Sequence, residues 1–454
     1  MGVEGAALKE LAALFAPRAT LYAVGGYSRA RIMGVAPHDI DVCSKLTVDE
    51  VRKLLSTTRF DVSAKSMRLG TARIYTDGFS AEYTTFRTDS YPEGGAHRPS
   101  EVTFTEDMRA DALRRDFTAN AVYFDPLTED VVDFFDGVGD IGRGVLRAVR
   151  DPDEVFADDG LRVLRLVRFA AELGFEPERA TFDAARRNAA LVGDIVKERI
   201  FAELERIFVA DTAYPALGSA DGHTRGLGLL DDLGLIDMLL PELAALRGLA
   251  QPKKHHVYDA FTHSCVAYSV SAPEVRWAAL MHDVGKRPVH EAQGNMHGHE
   301  LVSETLVRAR LAALGMPPKR VTRTAELVRW HMVDLAGDMS EGKLRLFLAR
   351  HADIADDLVR LKRADAFATK GVDPGVLHIE QVWEMMKEDG TPLSVTDLSV
   401  GGDDAAALGF LGREIGDALA ALWREAVLNP VLRERGKALA FLERRAAKRP
   451  EKGT

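Results

Sequence analysis

The sequence predicts an α+β fold, a small mixed α/β head followed by a long all-α remainder. Over roughly the first 140 residues, short apolar runs of strand type alternate with helical patterns. From about Ala148 onward, apolar residues recur at i, i+3 and i+4 instead. The 454 residues are 46% hydrophobic and 28% charged, the balance of a globular protein with length for roughly three domains of ~100–200 residues.

Taken in order, Leu8, Leu11, Leu14 and Phe15 mark an opening helix, and Leu21–Val24 reads as a strand closed by Gly25-Gly26. Further strands are expected at Asp39–Val42, Ala72–Thr76, Ala81–Phe86, Glu101–Thr105 and Ala121–Phe124. Between Arg87 and Glu101 the run DSYPEGGAHRPS reads as a loop. Leu161, Leu164, Leu166, Val167 and Phe169-Ala170 then define an amphipathic helix. Ile200–Phe208, Val275–Met281, Leu344–Leu348 and Ile379–Met386 repeat the pattern, with breaks at Gly218–Gly228, Gln251–Lys254, Gly371–Gly375 and Gly401-Gly402.

Composition narrows the function classes. A net charge of −10 argues against a surface that coats nucleic acid throughout, while leaving room for a local basic groove. Two cysteines, Cys43 and Cys265, make neither a disulfide framework nor a Cys-rich zinc site, which suits a reducing cytoplasm. Glu4, Lys9 and Glu10 interrupt the N-terminal apolar residues, so no signal-peptide core is expected there. Ala6 stands where a myristoylation signal needs Ser or Thr, and no window approaches ~18 uninterrupted apolar residues. A cytoplasmic protein without a membrane partner is expected.

The richest stretch is YAVGGYSRARIMGVAPHDIDVCS. Asp39 and Asp41 are two apart, and on a strand such residues share a face. Two carboxylates that close repel unless a cation lies between them, and a pair of Mg²⁺ ions is one answer. Gly25-Gly26 after a strand lets backbone approach a phosphate, with Arg29 adding charge. An isolated Asp-x-Asp is equally at home in a solvated turn.

Further on, Arg114 and Arg115 offer forked donors to phosphate, Asp116 can accept from sugar hydroxyls, and Asn120 can orient its neighbours. Alone, Arg-Arg-Asp also reads as a solvated charge run. Asp159 and Arg162 would share a helical face at i, i+3, which describes a surface ion pair. It equally describes an acceptor beside a donor fork, matching the amino edge of cytosine or adenine and mismatching guanine and uracil. Arg162, Arg165 and Arg168 recur every three residues, preceded by Arg143, Arg147 and Arg150, while Arg433 to Lys452 is net positive. Such basic faces are most often simply solvated, and they also suit contacts to phosphate.

In this order, GGYSRA, DID, RRDFTANA, DFFDGVGDIGRGVLRAV, FADDGLRVLRLVRFAAELGF, ERIFAELERIF and the tail's GGDDAAALGFLGREIG with Asn429 resemble the class II tRNA nucleotidyltransferases. That family contains bacterial CCA-adding enzymes and poly(A) polymerases. The resemblance implies that Asp39 and Asp41 bind two catalytic Mg²⁺ ions, with Glu82 as a third carboxylate. It implies that Arg114, Arg115 and Asp116 hold ribose and triphosphate, and that Asp159 and Arg162 template the base; Gly25, Gly26, Arg29, Asn120, Arg165 and Arg168 are further nucleotide-binding candidates. Arg199 and Glu203 match a helical motif that is mostly structural. Two departures stand out: Ser28-Arg29-Ala30 replaces the family's Val-Arg-Asp, and Asp158 replaces a Glu.

Eight of the 13 histidines fall between His255 and His331. Imidazole is the commonest transition-metal ligand, so this clustering points to a metal site. His263, His282-Asp283 and Asp365 resemble the ligand series of an HD phosphohydrolase domain, with His299 and His331 as additional candidates and a transition metal as the cofactor. The implied organisation is a nucleotidyltransferase head at 1–145, a base-selecting neck at 146–215, a body at 216–370 with the HD domain from about 252, and an RNA-binding tail at 371–454.

The implied activity is addition of C, C and A to the tRNA 3′ end from CTP and ATP, without a nucleic-acid template. Asp89–Ser100, with Arg98-Pro99, resembles a loop of CCA- and A-adding members that CC-adding members lack. The alternatives are A addition alone, a poly(A) polymerase, an HD-type phosphohydrolase with a remnant head, and a non-catalytic tRNA-binding protein.

Overall fold

The head is built on one seven-stranded sheet in the computed structural model, which describes residues 3–91, 100–218, 220–252, 257–369 and 374–448. In chain order the strands are β1 (Tyr22–Val24), β2 (Asp41–Ser44), β3 (Asp61–Ser66), β4 (Thr71–Thr76), β5 (Phe79–Thr85), β6 (Arg87–Ser90), β7 (Glu101–Phe104), β8 (Val122–Phe124) and β9 (Val131–Asp133). Across the sheet they run β3-β4-β5-β2-β1-β8-β9, and β6 with β7 forms a separate hairpin. β2 and β5 are parallel, whereas β1 is antiparallel to both β2 and β8. β1 sits between two partners, which is why its sequence is wholly apolar.

Three helices follow the N-terminal pattern: α1 (Val3–Phe15), α2 (Gly26–Met33) and α3 (Val48–Leu55). Leu8, Leu11 and Phe15 of α1 and Val51 and Leu55 of α3 join Val42, Ile74 and Tyr83 in one core. Thr47 starts α3 by a capping box: its hydroxyl accepts from Glu50 N, and Glu50 Oε2 accepts from Thr47 N at 2.8 Å.

Two expectations shift. The strand expected at Asp39–Val42 begins at Asp41, because Pro37, His38 and Asp39 form the turn that enters it. The expected loop after Arg87 opens as strand β6, paired through Asp89↔Val102 and Ser90↔Glu101; residues 92–99, including Arg98-Pro99, lie outside the described residues. β3 was not legible as a strand, since this edge strand has no fully buried residue and hence no apolar alternation.

Beyond the sheet come α4 (Met108–Leu113), α5 (Gly137–Arg143), α6 (Pro152–Asp158), α7 (Leu161–Leu173), α8 (Arg179–Arg187) and α9 (Lys197–Phe208). α7 is buried along nearly its whole length, so it is less amphipathic in place than its sequence suggests. Gly160 lets it start there: a Cβ would lie 2.8 Å from both the Cβ and the carbonyl oxygen of Leu191.

The chain divides into two compact units, one reaching Pro241 and including Ala313–Gly315, the other holding the remainder from Glu242. The described part of the second is helical. Helices Glu341–Arg350, Pro374–Glu388 and Arg413–Leu428 pack Leu344, Leu348, Ile379, Trp383 and Val427 into one core. Leu419, Leu422, Ala438 and Leu442 form another. Among the described residues, no helix is long and apolar enough to cross a membrane.

Candidate active site

The register of β1 against β2 sets Val24 opposite Asp41, and so delivers Gly25 beside that carboxylate. Gly25 has φ 65°, and a Cβ on it would stand 3.4 Å from Asp41 Oδ2. Here glycine supplies both the left-handed turn and the close approach. Asp39 does not share the strand as expected; it lies exposed on the preceding turn. Both carboxylates nevertheless line one cavity of about 360 Å³, together with Gly25, Gly26 and Arg29. Burial pushes the Asp41 carboxyl above its ordinary range against the opposing Arg115, and the charges of Asp39 and Glu82 add to the rise. An all-oxygen donor pair in which the ionised form of Asp41 is disfavoured without a counter-charge fits a hard divalent cation.

Glu82 stands across from Asp41 in the parallel β2–β5 register, but the cavity lining does not include it. Its carboxylate is half exposed and held by Lys65 Nζ at 2.7 Å. Ala30, where the family carries Asp, is buried in α2.

Arg114 and Arg115 reach the same cavity, and one residue that sequence reasoning passed over sets their positions. Asp111, fully buried on α4, accepts from Arg114 Nε at 2.8 Å through Oδ1 and from Arg115 Nη2 at 3.0 Å through Oδ2. Tyr123 Oη also donates to it at 2.6 Å. Burial would raise the Asp111 carboxyl, but Arg115 and Arg114 outweigh it and bring the pKa to about 2. Its place three and four residues before the arginines on a helical turn is the signal that could have found it.

Asp116 is committed within the protein. Oδ1 accepts from Phe117 N at 2.8 Å and Asn120 Nδ2 at 2.9 Å, and Oδ2 accepts from Arg165 Nε at 2.8 Å. Asn120 Oδ1 accepts from Arg29 Nη1, so a polar chain runs from Arg29 on α2 to Arg165 on α7. Burial opposes the ionised Asp116, yet Arg165 and Asn120 hold its carboxyl well below the usual range. Arg29, Arg165 and Arg168 stand over the Phe169 ring at 4.8, 5.2 and 4.1 Å from its centroid, a cationic wall on an aromatic base.

The helical-face reading of Asp159 and Arg162 needs correction. Asp159 has extended backbone, φ −149°, between α6 and α7. Its Oδ2 accepts from Arg199 Nη2 at 3.0 Å, while the buried Arg162 donates to Val155 O at 2.9 Å and Arg114 O at 2.7 Å. Both still line the cavity, as does Arg199, expected to be mostly structural. Arg165 and Arg168 also line it rather than forming a solvated basic face. Arg168 is 2% exposed and paired with Glu203 at 2.6 Å and Glu172 at 3.3 Å. Arg143 and Arg147 pair with Asp140, Arg150 with Glu154 and Asp158, Arg433 with Asp389 and Arg435 with Asp404. Much of the expected basic surface is therefore engaged internally, and residues 449–454 lie outside the description. His38, Leu161, Phe169, Arg206 and Tyr214, none of them singled out as a candidate from the sequence, complete the lining; the His38 and Tyr214 rings lie 4.5 Å apart.

In the second unit, His263, His282, Asp283, His299, His331 and Asp365 converge from separate helical segments. His263 Nε2 is 2.9 Å from Asp365 Oδ1 and 3.3 Å from His282 Nε2. The four histidines and Asp283 are buried. His255 and His256, counted in the cluster, lie outside the described residues.

Three family models match the chain: Poly A polymerase head domain at 21–147, probable RNA and SrmB-binding site of polymerase A at 174–246, and HD domain at 262–370. An A-adding tRNA nucleotidyltransferase of Deinococcus radiodurans is 34% identical over 77% of this chain and 82% of its own length. A CC-adding tRNA nucleotidyltransferase of Thermus thermophilus is 32% identical over 88% of each. A CCA-adding enzyme of Limosilactobacillus fermentum is 40% identical over 44% of this chain; the match spans 48%, about half, of that relative's length. The solved Bacillus stearothermophilus CCA-adding enzyme in complex with CTP has the same fold, with TM-score 0.70 and 24% identity over 98% of both chains.

Proposed function

The chain belongs to the tRNA nucleotidyltransferase family, and on that premise we propose that it adds C, C and A to the tRNA 3′ end from CTP and ATP without a nucleic-acid template. One observation carries the reading: a single cavity gathers the carboxylate pair Asp39 and Asp41, the arginines Arg114 and Arg115, and the base-reading pair Asp159 and Arg162. Reacting, phosphate-holding and selecting groups thus face one nucleotide-sized space. The head is a built site rather than a remnant.

Asp39 and Asp41 would hold Mg²⁺, which supplies activation of the tRNA 3′-hydroxyl and neutralises charge on the pyrophosphate leaving group. Arg114 and Arg115, fixed by Asp111, bind the triphosphate through forked donors. Arg29 and Asn120 sit at the near end of the Asp116–Arg165 chain and shape the ribose side. Asp159, steadied by Arg199, accepts from the exocyclic amino group of cytosine or adenine, and Arg162 donates to the adjacent ring acceptor. Uracil and guanine present the opposite polarity and leave the carboxylate facing an oxygen. Residues 1–145 act as head, 146–215 as neck, 216–370 as body and 371–454 as RNA-binding tail, in the cytoplasm.

The experiment is incubation with Mg²⁺, CTP and ATP, singly and together, of one tRNA ending before CCA and one ending in CC. Growth of the first by three residues with both triphosphates is expected. Growth only of the tRNA ending in CC means A addition alone, and arrest after two residues means CC addition.

A second activity is favoured by the convergence of six ligand side chains in the helical unit. His263, His282, Asp283 and Asp365 are proposed to hold a transition metal for phosphoester hydrolysis, separately from nucleotide addition.

A further inference from the structure

The cavity holds an aromatic pair that the proposed transfer does not use. His38 comes from the turn that enters β2, next to Asp39. Tyr214 comes from between the short helix Ala210–Ala213 and the 3₁₀ turn Pro215–Leu217. Their ring centroids are 4.5 Å apart with the planes tilted by 56°, and both residues line the cavity. Tyr214 is buried and His38 is exposed, so the tyrosine is the support and the imidazole keeps a face open. The backbone holds both in place. Tyr214 has φ −132° and ψ 77° before Pro215, whose ring removes the helical option from the residue ahead of it. Its carbonyl accepts from Leu217 N at 2.9 Å. Pro37 restricts the chain just before His38.

Location narrows what the open ring can meet. The transferred nucleotide has its triphosphate at Arg114 and Arg115 and its base at Asp159 and Arg162. Arg115 is the principal opposing charge at Asp41, so Asp41 is the carboxylate on the triphosphate side. Asp39 lies on the exposed turn, and His38 continues that turn away from β2. In-line transfer brings the attacking hydroxyl to phosphorus opposite the leaving pyrophosphate, so the acceptor's last nucleotide arrives on the Asp39 side. Phe169, another ring of the lining, is already covered, since Arg29, Arg165 and Arg168 stand over it. Charge is also present for an entering strand. Arg206 on α9 lines the cavity with a half-exposed side chain, anchored to the buried Glu172 at 2.9 Å.

We propose that His38, held by Tyr214, is the stacking platform for the terminal base of the tRNA acceptor strand, with Arg206 meeting the phosphate behind that base. The proposal rests on the head being a nucleotide-adding site. Unpaired RNA ends are recognised by stacking on aromatic side chains, histidine included, and a ring face accepts any base. One platform therefore serves a terminus whose base changes as the strand grows.

The test is a binding cycle on the full chain, without triphosphate or divalent metal. Dissociation constants are measured for a tRNA ending before CCA and for the same tRNA whose last nucleotide is abasic. His38→Ala should weaken binding of the first by roughly 5- to 150-fold, the ~1–3 kcal/mol of one base–aromatic stack. It should change binding of the second by less than twofold, and His38→Phe, which restores a ring, should recover the first. Arg206→Ala should weaken both tRNAs equally and flatten their salt dependence. Equal loss on the two tRNAs in His38→Ala, or loss on neither, overturns the platform. A loss in Arg206→Ala confined to the tRNA with its terminal base overturns the phosphate contact. If the parent extends no tRNA in the presence of Mg²⁺, CTP and ATP, nucleotide addition itself falls, and the binding cycle still decides the platform because it needs no catalysis.

Discussion

Asp116 and Arg165 are 49 residues apart in the chain, yet Asp116 Oδ2 accepts from Arg165 Nε at 2.8 Å. This pair ties the loop that carries Arg114 and Arg115 to the helix that begins at Leu161, and with it fixes the spacing between the groups proposed to hold phosphate and those proposed to read the base. On that proposal Arg165 is a positioning residue for the head.

Arg165→Met should destabilise the first unit by about 2 kcal/mol. That is less than the ~3–5 kcal/mol for breaking a fully buried pair, because Arg165 keeps a 33% exposed side chain. Asp116→Asn added to it should recover part of the loss, since no unpaired carboxylate then remains buried. A double-mutant cycle by chemical denaturation checks this, with near-additive losses as the contrary result.

Asp39→Ala and Asp41→Ala should each reduce nucleotide incorporation by about a thousandfold or more while the fold survives, because neither residue belongs to the apolar core. Single-turnover extension of tRNA with Mg²⁺ measures it. Incorporation within tenfold of the parent in either variant removes the two-carboxylate assignment.

Base selection should follow Asp159. Asp159→Ala and Arg162→Ala should each narrow the preference for CTP over UTP and ATP over GTP by roughly 5- to 150-fold, the ~1–3 kcal/mol of a bidentate base contact. Arg199→Ala should narrow it less, since Arg199 steadies Asp159 at 3.0 Å instead of reading the base. Values of kcat/KM for the four triphosphates on one tRNA decide the matter. Unchanged ratios in the Asp159 variant would reduce it to a helix-start contact.

Asp111→Asn carries a pH signature. A carboxyl brought down to about 2 by Arg115 and Arg114 adds stability that is fully present above the ordinary carboxylate range. That contribution is lost as pH falls from about 4 toward 2, and its full size is about 2 kcal/mol. The variant should thus be less stable than the parent throughout pH 5 to 8, with the gap closing in acid. Its KM for CTP should also rise, because both arginine forks lose their anchor. A stability gap that is flat down to pH 2 would show that Asp111 acts through packing.

The division into mixed head and helical remainder was legible because apolar period records burial: β1 between two partners is wholly apolar, and Ile200–Phe208 keeps its helical spacing in α9. The glycines, the Asp-x-Asp and the Arg-Arg-Asp run were legible as candidates because each is a short local pattern, and the histidines because eight of 13 fall between His255 and His331. β3 and β6 were not, since edge and hairpin strands need only backbone pairing and leave side chains in solvent.

What the sequence by itself determined, then, is the mixed head, the helical remainder and the charged and histidine runs from which the candidate site residues come. The tertiary structure alone decided their partners. Asp111 under both arginines, Arg199 on Asp159, Arg168 locked to Glu203 instead of facing solvent, and Asp283 between two histidine pairs all depend on side chains brought together by packing. Composition cannot distinguish a solvated arginine from a buried one, because the guanidinium is the same and only the carboxylate that meets it, contributed by another element, tells which it is. Charge pairing over long sequence separations follows from where helices and strands dock, and docking is set by the apolar faces that the charged residues only flank.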